Sequence, residues 1–135
     1  MILVTGGAGF IGTHTCAALA DAGIPTLLLD NFSNSRRSVL DRLARITGKP
    51  VACVEGDVRD AQLLRQLFAS HPIEGVIHFA ALKAVGESVR EPLRYYENNV
   101  AGTVSLLRAM QAAGVRTLVF SSSATVYGDP ASLPI

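Results

Sequence analysis

The sequence predicts an α/β fold, a doubly wound parallel sheet covered by helices on both faces. Three observations carry that expectation. Short, near-continuously apolar runs alternate with longer stretches of helical periodicity, the pattern of strands buried on both sides in a parallel sheet. Each run ends in glycine or small polar residues, at the strand ends where open α/β sheets bind ligands. The size also fits, because 135 residues and 14.2 kDa make about one domain.

Composition removes several function classes. Hydrophobic residues make up 49% and charged residues 17%, the latter below the roughly 25% usual in soluble domains. So apolar a chain can offset its ordering entropy by burial, which excludes disorder. The mean hydropathy of +0.33 leaves little polar surface and suggests the interior of something larger. A net charge of +1 without a basic run gives no electrostatic footprint for nucleic acid or a membrane surface. Cys16 and Cys53 stand far apart in no metal-ligand spacing, so no metal site is expected and both read as reduced core thiols of a cytoplasmic protein. The first twenty residues carry no charge, but Gly6, Gly7, Gly9 and Gly12 would break the helix a signal peptide needs. No other stretch is both long and apolar enough to span a bilayer.

Taken in order, Ile2-Leu3-Val4 is a first strand stopped by glycines. Phe10 to Ala22 reads as a helix with Gly12, Cys16 and Leu19 on one face, and Gly23 suits the position after its end. Thr26 to Asp30 is a second buried strand ending in an acid. A polar loop, Asn31 to Ser35, leads to a helix with Val39, Leu40, Leu43 and Ile46 on one side, closed by Gly48. Val51 to Glu55 is the third strand, and Asp60 caps a helix burying Leu63, Leu64, Leu67 and Phe68. Gly75 to Ala80 is the fourth strand. Pro92 opens the longest helix, 92–113, with Leu93, Tyr96, Val100, Val104 and Leu107 in register and Met110 or Gln111 continuing it. Thr117 to Phe120 is the fifth strand, ahead of Ser121-Ser122-Ser123.

Gly6-Gly7-Ala8-Gly9-Phe10-Ile11-Gly12 sits between the first strand and its helix. Glycines there permit a tight turn and let backbone N–H groups approach a diphosphate at the helix N-terminus, where the macrodipole favours negative charge. Asp30 follows Gly12 by eighteen positions at the end of the second strand, where a carboxylate accepts from ribose hydroxyls and repels a 2′-phosphate. The cofactor expected is NAD rather than NADP, on a Rossmann-type sheet. No Gly-Lys-Ser/Thr follows the glycines, which argues against a phosphate-transferring P-loop. Asp57, at the tip of the third strand, can accept from the adenine amino group or serve as a turn residue. His14, His71 and His78 read as structural or surface histidines.

Three further segments are narrower: Leu29-Asp30-Asn31 leading to Asn34-Ser35; His78-Phe79-Ala80-Ala81-Leu82-Lys83-Ala84-Val85-Gly86-Glu87-Ser88; and Phe120 to Gly128. With the glycine motif they resemble the UDP-glucose 4-epimerases among the extended short-chain dehydrogenase/reductases, from Met1 to about Gly128. The resemblance implies an enzyme that interconverts UDP-galactose and UDP-glucose through hydride abstraction and return at sugar C4, with NAD kept bound. It implies backbone contacts to the diphosphate from Phe10 and Ile11 beside Gly6, Gly9 and Gly12. Asp30, Asn31, Asn34 and Ser35 would surround the adenosine ribose, and Asp57 and Val58 the adenine. Phe79, Ala80, Ala81 and Lys83 would line the cofactor with Asn98 nearby. Ser123 would act catalytically on the sugar 4′-hydroxyl, a role suited to a group that both donates and accepts, and Lys83 would also face the substrate.

Dehydratases of similar sequence have an Asp-Glu pair at the positions of Ala124-Thr125, so elimination of water is disfavoured. The family's base is the tyrosine of a Tyr-x-x-x-Lys motif, and Tyr127 is followed at position 131 by Ala. The expectation is therefore an incomplete NAD-binding domain over 1–135, truncated after the fifth strand, inactive alone and completed by the substrate domain of the whole enzyme. A homodimer through the long helix is implied as well. A catalytically silent NAD-binding module and a self-associating interaction fragment remain as alternatives.

Overall fold

The computed structural model describes residues 1–123 together with Val126, Gly128 and Ser132. Ala124, Thr125 and Tyr127, which bore on the choice of reaction, lie outside the described residues. Strands β1 (Ile2–Thr5), β2 (Thr26–Asp30), β3 (Cys53–Glu55), β4 (Gly75–His78) and β5 (Thr117–Phe120) form one sheet in the order β3-β2-β1-β4-β5. All its pairs are parallel, as the doubly wound expectation requires. The chain steps outward from β1 through β2 to β3, then returns to β4 on the other side of β1. The switch point therefore lies between β1 and β4, and the loops after both strands open a crevice there.

Alternation along the strands sends apolar side chains to both faces. Leu3, Leu27, Leu29 and Val76 pack on one side with Leu64 and Leu67 of α3 (Ala61–Ser70) and with Leu106 and Met110. Val4 and Leu28 pack on the other with Cys16 of α1 (Phe10–Asp21) and Leu43 of α2 (Ser38–Thr47). Asp60 caps α3 by accepting from Gln62 N–H and Leu63 N–H. Burial pushes the Cys16 thiol up to about 12, as suits a reduced core thiol. Cys53 is half-buried beside the same cluster.

The structure departs from expectation at five places. The strand expected over 75–80 ends at His78, and the one expected over 51–55 begins at Cys53. A short helix, α4 (Val85–Arg90), was not anticipated, because Gly86 and Pro92 obscure its six residues. Ile46, expected on the same side as Leu43, is 71% exposed while Leu43 is buried. The fifth concerns the long helix. It runs as α5 (Pro92–Tyr95), a π-helical segment (Tyr96–Ala101) and α6 (Gly102–Ala112).

The residues read as one stripe, Leu93, Tyr96, Val100, Val104 and Leu107, are exposed, while Gly102, Leu106, Ala109 and Met110 are buried. This helix carries two apolar stripes, and periodicity does not say which meets the sheet. On the buried side a Cβ at Gly102 would stand 2.9 Å from Val58 Cγ2, so the missing side chain lets the helix approach the turn after β3 closely. β5 ends the sheet among the described residues, with Val119 and Phe120 about half exposed, as expected of an edge.

Candidate dinucleotide and substrate site

The glycine loop is shaped by backbone contacts. Gly6 has φ +67°, and a Cβ there would lie 2.7 Å from Ala80 N; one at Gly12 would lie 2.3 Å from Gly6 O. Neither position tolerates a side chain, since the obstacles are backbone. Gly9 differs: a Cβ there would meet only Gly6 O, at 3.2 Å. Packing within the chain scarcely needs that glycine, yet it lines the cleft, where a large ligand group must pass close to the backbone. The first intrahelical bond of α1 runs from Thr13 N–H to Gly9 O. The N–H groups of Phe10, Ile11 and Gly12 thus lie ahead of the helical ladder. No side chain caps this end and no acid stands in its first turn. An anion suits that end.

Asp30 is buried at the end of β2. Ala8 N–H donates to its Oδ2 at 3.0 Å; Phe32 N–H and the Ser35 hydroxyl donate to Oδ1 at 2.9 and 3.1 Å. A carboxylate offers about four acceptor sites, so Asp30 has room for one more donor, and for a second if the Ser35 hydroxyl turns away. The loop bends through Phe32, a non-glycine residue at φ 54°, and the Arg37 guanidinium lies 5.2 Å from its ring centroid. Asp57 is more fully engaged. It accepts Arg59 N–H and Nε–H at 2.9 Å each, Arg59 Nη2 at 2.8 Å and Asn31 Nδ2 at 2.9 Å. The Arg59 side chain, chiefly, holds its carboxyl well below the usual range. Asp57 therefore orients Asn31 while itself lining the cleft.

The structure brings most of the expected residues to one cleft of about 260 Å³. Gly6, Gly9 and Phe10 line it, as do Asp30, Asn31, Asn34 and Ser35; Asp57, Val58, Phe79, Ala80, Ala81 and Asn98 complete the wall. Ile11 and Gly12 stand beside it and do not line it. Lys83 and Ser123 belong to an adjoining cavity of about 620 Å³, which shares Ala80, Ala81 and Leu82 with the first. Together the two follow the carboxyl edge of the sheet from β2 to β5.

Sequence reasoning did not single out Tyr95, Asn99 or Thr103 of the second cavity, and it read His78, which also lines it, as structural. Thr103 Oγ1 donates to Asn99 O at 2.6 Å, so it accepts from His78 Nε2 at 3.0 Å. His78 Nδ1 then accepts from Thr5 Oγ1 at 2.5 Å. This assignment of the tautomer follows from the partners. Burial lowers the His78 pKa to about 4, which keeps the ring neutral and the chain of bonds intact. Asn99 adjoins Asn98 in sequence, and the π-helical segment carrying both is a form that often marks a functional position; periodicity alone gives no sign of it.

A Rossmann-type sheet with these loops at its switch point now has a family to stand in. The model of the NAD dependent epimerase/dehydratase family matches residues 2–135, and the chain belongs to that family. Within it, the chain is 58% identical over 133 residues to a UDP-glucose 4-epimerase of Yersinia pestis, covering 98% of this chain and 39% of that protein. Among solved structures it is similar to the UDP-glucose-4-epimerase of Stenotrophomonas maltophila with bound NAD and formylated UDP-arabinopyranose (TM-score 0.96, 49% identity, 99% of this chain, 40% of that one). It is likewise similar to the enzyme of Bifidobacterium longum in complex with NAD+ and UDP (TM-score 0.95, 53% identity, again 99% and 40%). The chain thus spans about two-fifths of the length of these relatives.

Proposed function

We propose that these residues are the NAD-binding part of an enzyme that interconverts UDP-galactose and UDP-glucose. The observation that carries the reading is the uncapped start of α1 opening beside Gly9 into the cleft that also holds Asp30. The N–H groups at that helix start would receive the diphosphate, and Asp30, with Ser35 and Asn31 at its side, the adenosine ribose. Phe79, Ala80, Ala81 and Asn98 would wall the path toward the second cavity. NAD bound there supplies the chemistry of taking hydride from sugar C4 and returning it to the opposite face. Ser123 would hold the sugar 4′-hydroxyl and move its proton, and Lys83 would meet the ligand from across the cavity. No tyrosine in the chain is followed four positions on by a lysine, so these residues bind and orient without the family's general base.

The exposed stripe of Tyr96, Val100, Val104 and Leu107 supports a homodimer through helix 92–113, which sedimentation at several concentrations checks. No helix among the described residues is long and apolar enough to cross a membrane; a cytoplasmic place in galactose metabolism follows from the proposed reaction. The test of the reading is calorimetric titration with NAD and then NADP. Micromolar NAD binding is expected, with NADP at least about tenfold weaker because Asp30 faces its extra phosphate. Equal binding of both, or of neither, overturns it.

A further inference from the structure

The loop between β4 and α4, residues 79–84, is fastened by Tyr95 at the end of α5 and Asn99 in the π-helical segment. Asn99 takes both backbone polar groups of Leu82. Leu82 N–H donates to Asn99 Oδ1 at 2.8 Å, and Asn99 Nδ2 donates to Leu82 O at 2.9 Å. Two residues on, Ala84 N–H donates to the Tyr95 hydroxyl oxygen at 3.0 Å. The Tyr95 proton has Glu87 Oε2 at 2.7 Å and Ala84 O at 2.9 Å as acceptors. Glu87 is itself steadied by Arg94 Nη1 at 2.7 Å. Tyr95 and Asn99 are four positions apart, hence on one helical face.

Lys83 stands between the two pinned residues. It is exposed, has no ion-pair partner among the described residues, and lines the cavity that Ser123, Tyr95 and Asn99 also line. Fixing the backbone on both sides of a residue fixes the root of its side chain, which removes the backbone share of the entropy lost when the lysine meets a ligand. The successive asparagines divide the work: Asn98 lines the first cleft and Asn99 holds the loop of the second.

The geometry points to Asn99 and Tyr95 as a two-point clamp that aims Lys83 at the ligand in the joined clefts, so that both are positioning residues for it. The inference rests on the reading that the clefts take NAD, and its test is built so that the two can fail separately.

On the ligand-free chain, amide exchange is compared among wild type, Asn99→Ala and Tyr95→Phe. The variants are expected to exchange about fivefold faster at Leu82 and Ala84 respectively, while amides of β1 stay unchanged. In the same samples acetylation of Lys83 is referred to Lys49, the only other lysine, and the ratio is expected to shift in Asn99→Ala. Unchanged exchange at Leu82, or an unchanged lysine ratio, overturns the clamp whether or not NAD binds. NAD titration of Lys83→Ala, Asn99→Ala and the double variant then closes a cycle. Each single change is expected to weaken binding about tenfold and the pair no further, because one interaction is lost either way. Additive losses would mean that Asn99 acts on the fold and does not aim Lys83. Absence of NAD binding in wild type would remove the function proposed above and leave the clamp to the two ligand-free readouts.

Discussion

The two halves of the crevice are built by different means. After β1 and β2, the walls are backbone: the turn at Gly6, the close crossing at Gly12, the open start of α1, and one buried carboxylate tying three segments together. After β4, side chains do the holding: His78 between Thr5 and Thr103, Asn99 on Leu82, Tyr95 on Ala84. A backbone-built site is rigid before any ligand arrives and fails all at once when a side chain is forced in. A side-chain-clamped one can be loosened one bond at a time. Under the proposed function, the first half would receive the adenosine end of the dinucleotide and the second the reacting sugar.

The largest effect should come from striking the backbone half. Gly12→Ala puts a methyl group into Gly6 O and Gly7 Cα, and we expect a loss of about 3 kcal/mol, seen as a thermal midpoint lower by about 10 °C. A midpoint within a degree or two of wild type would show that the loop yields more easily than its contacts suggest.

The side-chain half answers to pH. His78 has its pKa lowered from 6.5 to about 4 by burial, so between those values the unfolded chain takes up a proton that the folded one refuses. Stability should be level above about pH 6.5 and fall by about 1.4 kcal/mol per unit below it, roughly 3 kcal/mol by pH 4. Asp57, whose folded pKa is depressed, acts in another window. Its contribution is whole above its ordinary value of 3.8 and is lost only as pH falls below that. Denaturant titrations of wild type and His78→Gln between pH 7 and 4 separate the two, since the variant should lose most of the slope. A slope that persists would place the proton uptake elsewhere.

Asp30→Ala should weaken NAD binding about tenfold and bring NAD and NADP close together, a smaller change than the loop lesion because the helix start remains. Retained discrimination against NADP would move that role to another residue. Smallest is Ile46→Ser on the exposed end of α2, expected within about 0.5 kcal/mol of wild type. Leu43→Ala, one turn back and buried, should cost about 2 kcal/mol. Equal effects would mean that α2 packs through to its end.

Much of the fold and of the cleft is legible in the sequence, and for physical reasons. Gly6, Gly9, Gly12 and Asp30 can be read because a tight turn, a close crossing and an acid at a strand end each demand particular residue types at fixed spacing. Strand limits are legible to within a residue or two, because the apolar runs stop where glycine or polar residues begin. The inner face of helix 92–112 is not legible. Leu93, Tyr96, Val100, Val104 and Leu107 make an apolar stripe as clear as the other, yet they point outward while Leu106, Ala109 and Met110 join the core. His78 and Asn99 are equally hidden, since a histidine in an apolar strand and an asparagine in a helix acquire meaning only from partners that other elements bring.

By itself the sequence determined the alternation of strands and helices, the helix start that favours an anion, and the acid beside it. Each depends on neighbours within a few positions of the chain, where steric limits and hydrogen-bonding needs are local. The tertiary structure alone decided which helix face is buried, that Asp57 is committed to Arg59 and Asn31, and that Lys83 stands between two pinned residues. Those outcomes rest on packing at a few ångströms between segments distant in sequence, a competition no local pattern records.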